Sequence, residues 1–255
     1  MGEKERAEEA FIKYASQYDL EDPKIRLKVD HTLRVASLCE RIACSLQIPK
    51  EDVRIAFMTG ILHDIGRFEQ VRIYHTFRDG LSVNHAQLSA DLLFREGLIR
   101  EYPVNEKDYP LVENAIRLHN AYRLPDTLSQ RERIFCQILR DADKIDILRV
   151  NRETPMEEIY DLPTEAFLTS EISDKVFEDL MACRDVNRQN SRTGIDFLMG
   201  HIAFAFGLVY PESFRIVKEQ GYLDQMLSFE SRNEATRRRM EQVRRKVLEY
   251  IGQHT

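Results

Sequence analysis

Apolar residues recur three and four positions apart along most of this chain, the spacing that lines one face of an α-helix. From Asp22-Pro23 to Leu46 the series Leu27, Leu33, Ala36, Leu38, Ile42, Ala43 and Leu46 predicts one long helix, with the proline in its first turn. Gln47-Ile48-Pro49 ends it. The next helix is expected over 51 to 65, stopping at Gly66 as a left-handed cap. Residues 67 to 82 read as an irregular loop. Further helices are expected at 83 to 94, 109 to 120 and 129 to 150, the last with Ser129 as its N-cap. A charged, weakly amphipathic opener covers 5 to 17. Pro155 and Pro163 mark 151 to 172 as the linker candidate. Helical spacing resumes at 173 to 187, 194 to 208, 211 to 219 and 232 to 251. No run alternates with period two. The fold class is therefore all-α, organised as a helical core over 1–150 and a helical C-terminal extension over 151–255 packing on the same domain.

Composition narrows the function classes. The chain has 255 residues, 43% hydrophobic and 31% charged, with only 10 glycines. These values describe a globular chain rather than a disordered one. A net charge of −6 gives no reason to expect a nucleic-acid polymer as partner. The basic runs Arg237-Arg238-Arg239 and Arg244-Arg245-Lys246 alternate with Met240, Val243, Val247 and Leu248, so they read as the solvated face of an amphipathic helix. The most apolar window, Phe197 to Tyr210, is shorter than the roughly 20 residues a bilayer span needs and reads as a core helix. Met1 to Ala10 is charged and resembles no secretory signal. Cys39, Cys44, Cys136 and Cys183 form no Cys-x-x-Cys pair and read as reduced, mostly buried thiols. A cytoplasmic location with no membrane partner follows as the expectation. A homo-oligomer is left open.

The chemistry concentrates between residues 31 and 149. His31 falls inside one amphipathic helix. His63 and Asp64 close another, behind Ile55-Ala56-Phe57-Met58. His85 opens a third and His119 closes a fourth. Asp141, Asp143 and Asp146 interrupt a fifth, whose apolar face is Ile134, Ile138, Ile145 and Leu148. Carboxylates among core-facing aliphatics are costly unless paired or bound to metal. A divalent cation supplies the missing charge locally, and helical bundles build metal sites from inward imidazoles and carboxylates on facing helices. His75, His201 and His254 fit ordinary packing or surface roles, with His75 weighed as a proton donor to a leaving group.

The order His31, then His63-Asp64 followed by Ile-Gly, then Arg140-Asp141-Ala142-Asp143-Lys144-Ile145-Asp146 resembles the HD-domain metal-dependent phosphohydrolase superfamily over about 31 to 149. The resemblance implies an all-α fold and a first metal held by His31, His63, Asp64 and a distal aspartate. The family pattern favours Asp143. The helical stripe favours Asp141, which with Asp146 otherwise supports the ligands from behind. Binuclear members add two histidines, matched here by His85 and His119 with Asp64 bridging. Asn120 stands where the cyclic-dinucleotide subgroup has a second histidine. Leu124-Pro125 stands where that subgroup has Gly-Tyr-Pro, so a cyclic dinucleotide is not the expected substrate.

Imidazole and carboxylate ligands together suit one or two divalent transition ions, Mn, Fe, Co, Ni or Zn. Such a set, with Asp64 and Lys144 as catalytic candidates, suits hydrolysis of a phosphate ester or anhydride of a nucleotide or another small phosphorylated compound. Phosphoryl transfer also calls for cations, and Arg34, Arg67, Arg117 and Arg123 are the candidates for substrate binding. Two other functions fit the same residues: a di-iron oxygenase, and a non-catalytic nucleotide-binding module.

Overall fold

The computed structural model describes residues 2–255, so Met1 lies outside the described residues. Among these the regular structure is helical throughout, with no strand. The chain divides into two compact units, Met1–Ala142 and Asp143–Thr255.

The first unit begins with α1 (Glu3–Ala15), α2 (Pro23–Ser45), α3 (Lys50–Leu62) and α4 (Ile65–Tyr74). It continues with α5 (His85–Ala90) and α6 (Tyr109–Leu118), and ends in the first half of α7 (Gln130–Glu153). Asp22 caps α2 by accepting from Lys24 N at 2.8 Å, with Pro23 in the first turn. Ser129 opens α7 through a reciprocal pair: Ser129 N donates to Glu132 Oε2 at 2.9 Å, and Glu132 N donates to Ser129 Oγ at 3.3 Å. Helices α2 and α3 approach at the backbone. A Cβ built on Gly60 would lie 2.6 Å from Ala36 Cα, so glycine at this position permits the contact. Phe11 and Tyr14 of α1 meet Phe68 of α4 edge to face at 5.8 Å, which fixes α4 from outside.

Four expectations need correction. Gly66 does not cap α3 in the left-handed region. It lies inside α4, where a Cβ would come 2.6 Å from Ser89 N. Its missing side chain serves a close approach of α4 to α5. Residues 67–74 are helical rather than irregular, because Phe68 and Val71 bury one face of α4. The helix expected over 83–94 is α5 followed by a wide π-type turn, Asp91–Arg95. The segment 151–172 contains the end of α7 and two short helices, α8 (Met156–Tyr160) and α9 (Thr164–Thr169), which carry the buried Tyr160 and Phe167.

The second unit continues with α10 (Asp174–Met181), α11 (Gly194–Ile202), α12 (Pro211–Gln220), α13 (Tyr222–Leu227) and α14 (Glu234–Gln253). The apolar window from Phe197 is α11 passing into a tight 3₁₀ run, Ala203–Gly207. Met240, Val243 and Val247 of α14 are buried while Arg237, Arg238, Arg244 and Arg245 are exposed, as the amphipathic pattern requires. No described helix is long and apolar enough to cross a membrane. Cys39 and Cys136 are buried, but Cys44 is exposed.

Candidate metal centre

His63 and Asp64 occupy the break between α3 and α4. His63 caps α3, and Asp64 precedes the first turn of α4 with φ −107° and ψ 17°. A carboxylate there also benefits from the positive end of the α4 dipole. The side chain is nearly sealed from solvent, at 2% exposure.

The two oxygens of Asp64 face different partners. Oδ2 lies 3.6 Å from His31 Nε2 and 3.5 Å from His63 Nε2. Oδ1 lies 3.6 Å from His85 Nε2 and 3.7 Å from His119 Nε2. His31, His63 and Asp64 thus form one buried group of potential ligands, and Asp64, His85 and His119 a second. These spacings are long for hydrogen bonds. They suit atoms sharing a cation, since ligands about 2.0–2.1 Å from a metal sit roughly 3–3.5 Å from one another.

Hydrogen bonds at the far side of the rings aim the histidines. His63 Nδ1 donates to Gly60 O at 2.7 Å and His119 Nδ1 to Ile116 O at 2.7 Å. His85 Nδ1 lies 2.6 Å from Asp79 Oδ2. A guanidinium can only donate, and Arg67 Nη2 reaches His85 Nε2 at 3.3 Å. His85 therefore carries its proton on Nδ1 and presents a lone pair at Nε2. That lone pair meets His119 Nε2 at 3.0 Å, where the Nδ1 bond of His119 leaves a second one.

Electrostatics point the same way. Burial, then Arg67, lowers His85 to about 4 against the pull of Asp79, so it is neutral near pH 7 and available as a ligand. Burial alone would raise the Asp64 carboxyl, but Lys28, His63 and His85 outweigh it and hold it well below the ordinary carboxylate range. Asp64 Oδ1 is buried and accepts no hydrogen bond from the described residues. An anionic carboxylate with an unsatisfied oxygen, ringed by imidazole lone pairs, fits divalent cations.

The substrate candidates separate. Arg67, 8% exposed, lies 3.8 Å from Asp64 Oδ1. It also donates to Gln70 Oε1 at 2.6 Å, Phe77 O at 2.7 Å and Asp79 Oδ1 at 3.0 Å. Arg34 is half-buried on α2. Arg117 is engaged elsewhere: its Nη2 lies 2.7 Å from Asp91 and 2.8 Å from Glu113, so it ties α6 to the chain after α5. Arg123 is exposed and lies over the Tyr122 ring. His75 is exposed and ends α4 in the left-handed region. Asp141 is fully buried in the first unit. Asp143 opens the second unit half-buried, and Asp146 is buried there. Lys144, also of the second unit, bonds Asp185 Oδ2 at 2.9 Å.

Four participants escape a reading of the sequence. Lys28, one turn before His31, places Nζ 2.7 Å from Asp64 Oδ2. The helical i, i+3 relation to His31 was the available signal. Asp79 and Gln70 fix the segment after α4: Gln70 Nε2 donates to Asp79 Oδ1, Ser82 Oγ and Val83 O at 2.9–3.0 Å. No periodicity marks them. Arg140 donates to Leu118 O and His119 O at 3.3 and 3.1 Å, so it satisfies the end of α6 where His119 sits.

Comparison with known protein families matches residues 29–148 to the HD domain. No curated protein and no solved structure matches the chain.

Proposed function

Because residues 29–148 match the HD domain, we propose that this protein is a metal-dependent phosphohydrolase acting on a phosphate ester or anhydride of a nucleotide or another small phosphorylated compound. The observation that carries the reading is the division of Asp64, whose two oxygens serve two separate pairs of histidines. His31 and His63 would hold one divalent ion, His85 and His119 the other, with Asp64 shared. The distal aspartate rests on the sequence pattern, with Asp143 as the further ligand and Asp141 as the alternative. When bound, such ions supply a water acidic enough to attack near neutral pH and offset charge on the phosphoryl oxygens.

The chain's own residues would do the rest. His63, His85 and His119, aimed from behind through Nδ1, would keep the ligand geometry fixed before substrate arrives. Arg67 would offer its guanidinium to a phosphoryl oxygen, the planar fork suiting that group. Lys28 would add a second cation, beside Asp64 Oδ2. Lys144, held by Asp185, is the remaining basic candidate.

The test is a panel of nucleotides and other phosphorylated compounds, assayed anaerobically with Mn, Co or Ni. Metal-dependent release of phosphate or pyrophosphate, abolished by Asp64→Asn, is the expected result. Turnover that requires oxygen and bound iron would favour the oxygenase reading. Nucleotide binding without turnover by the fully metallated protein would favour a binding module. Metal counts on Asp143→Asn and Asp141→Asn identify the distal ligand.

A further inference from the structure

Asp79 lies on the segment between α4 and α5, outside every element that supplies a potential ligand. Its carboxylate nevertheless joins the two functional halves of the site. Oδ2 takes His85 Nδ1 at 2.6 Å and Asn120 Nδ2 at 3.3 Å. Oδ1 takes Arg67 Nη1 and Gln70 Nε2, each at 3.0 Å. All four partners donate, so both ends of the side chain must accept. Only an ionised carboxylate does this.

We propose that Asp79 is a positioning residue that fixes the His85 tautomer, and with it the second metal position, while holding Arg67 in place for substrate. The inference rests on the two-ion reading of the site. His63 and His119 take their orientation from carbonyls of their own helices, Gly60 O and Ile116 O. Those helices fix the acceptors with no outside help. His85 begins α5 and has no such carbonyl behind it. Its orientation depends on a side chain from a different segment, so the His85–His119 position is the one that a change at Asp79 reaches.

An asparagine at this position makes the consequence specific. The amide has one accepting and one donating end. With its oxygen toward Arg67 and Gln70, its NH₂ faces His85 Nδ1, which must then accept. The proton moves to Nε2, and that nitrogen no longer offers a lone pair to a cation. With the amide reversed, the NH₂ faces two donors and Arg67 loses one of its three acceptors.

Metal stoichiometry separates the outcomes without any assay of activity. Apo protein is titrated with Co(II), followed by calorimetry and by visible absorption. Wild type is expected to take up two ions per chain. Asp79→Asn should keep one with unchanged affinity and bind the second about 10- to 100-fold more weakly, the usual effect of removing a carboxylate behind a ligating histidine. The retained ion shows that the fold is intact. Asp79→Glu, which keeps a carboxylate, should recover part of the loss. Two ions bound to Asp79→Asn with wild-type affinity would overturn the proposal and leave the binuclear reading standing. A single ion on wild type would overturn both.

Discussion

Lys28 holds its ammonium 2.7 Å from Asp64 Oδ2, the oxygen that also faces His31 and His63. Both side chains are shielded, at 12% and 3% exposure. In the metal-free protein the lysine therefore supplies part of the positive charge that this carboxylate requires. Breaking a buried pair by removing one partner typically costs about 3–5 kcal/mol, because the other charge is left uncompensated. Lys28→Met should lower the melting temperature of the apo protein and bring a larger rise on adding Mn or Co than wild type shows, since the ion then answers a greater need. Thermal melts of both proteins with and without metal check this. An equal metal-induced rise in the two would show that Lys28 and the cation do not share a task.

The Gly60–Ala36 contact ties helix packing to the site. A methyl at position 60 would meet backbone atoms of α2 at 2.6 and 2.9 Å, and backbone does not yield cheaply. Gly60→Ala should force apart the helices that carry His31 and His63, at a cost of about 1–3 kcal/mol. At roughly 2–4 °C per kcal/mol for a chain of this size, melting should fall by several degrees. Metal affinity should fall with it. Unchanged melting would mean that α2 and α3 are less closely packed than their backbones indicate.

Arg67 anchors the segment after α4 through Phe77 O and Asp79 while also binding Gln70. A lysine carries the charge, but its ammonium ends short of the Nη1 position from which all three bonds are made, and hydrogen bonds from charged donors are worth about 1.5–3 kcal/mol each. Arg67→Lys should therefore raise the open population of residues 75–84 roughly tenfold or more, at about 1.4 kcal/mol per factor of ten. Arg78 is exposed in that segment and offers a tryptic site. Timed tryptic digestion should show faster cleavage after Arg78, with cleavage in α14 unaltered. Equal rates would assign the anchoring to Gln70 alone.

The groups of potential ligands were legible because a buried charge leaves a strong mark on a helical pattern. His31 and His63-Asp64 stood among aliphatics, where only pairing or a cation makes them tolerable. His85 and His119 marked helix ends. What lay beyond reach was set by tertiary contact. Gly66 reads as a stop in any one-dimensional pattern, yet it is glycine because Ser89 N lies 2.6 Å from where its Cβ would be. The α4 face was hidden for the same reason: Arg67 and Gln70 are buried polar residues that bond to a loop with no period of its own. Arg117 looked like a substrate cation because it precedes the His119 end of α6, but α6 turns it toward Asp91 and Glu113.

A last prediction concerns the second unit. His201 of α11 sets Nδ1 2.7 Å from Tyr160 Oη and 3.0 Å from Asn151 Oδ1, and its ring stacks on Tyr160. Burial, then Arg188, lowers its pKa from 6.5 to about 3. The native state therefore holds this imidazole neutral at a pH where the unfolded chain protonates it. Between these two values the unfolded state binds the extra proton, so stability rises with pH across that window. The contribution is complete above about 6.5 and is lost as pH falls toward 3, by about 1.4 kcal/mol per unit. Replacing the ring by an amide removes the proton site from both states. His201→Gln should lose less stability than wild type when the pH is lowered from 7.5 to 5, whatever its stability at 7.5. Urea unfolding midpoints across that range measure the difference. Parallel slopes for the two proteins would mean that His201 takes up its proton in the folded state without penalty.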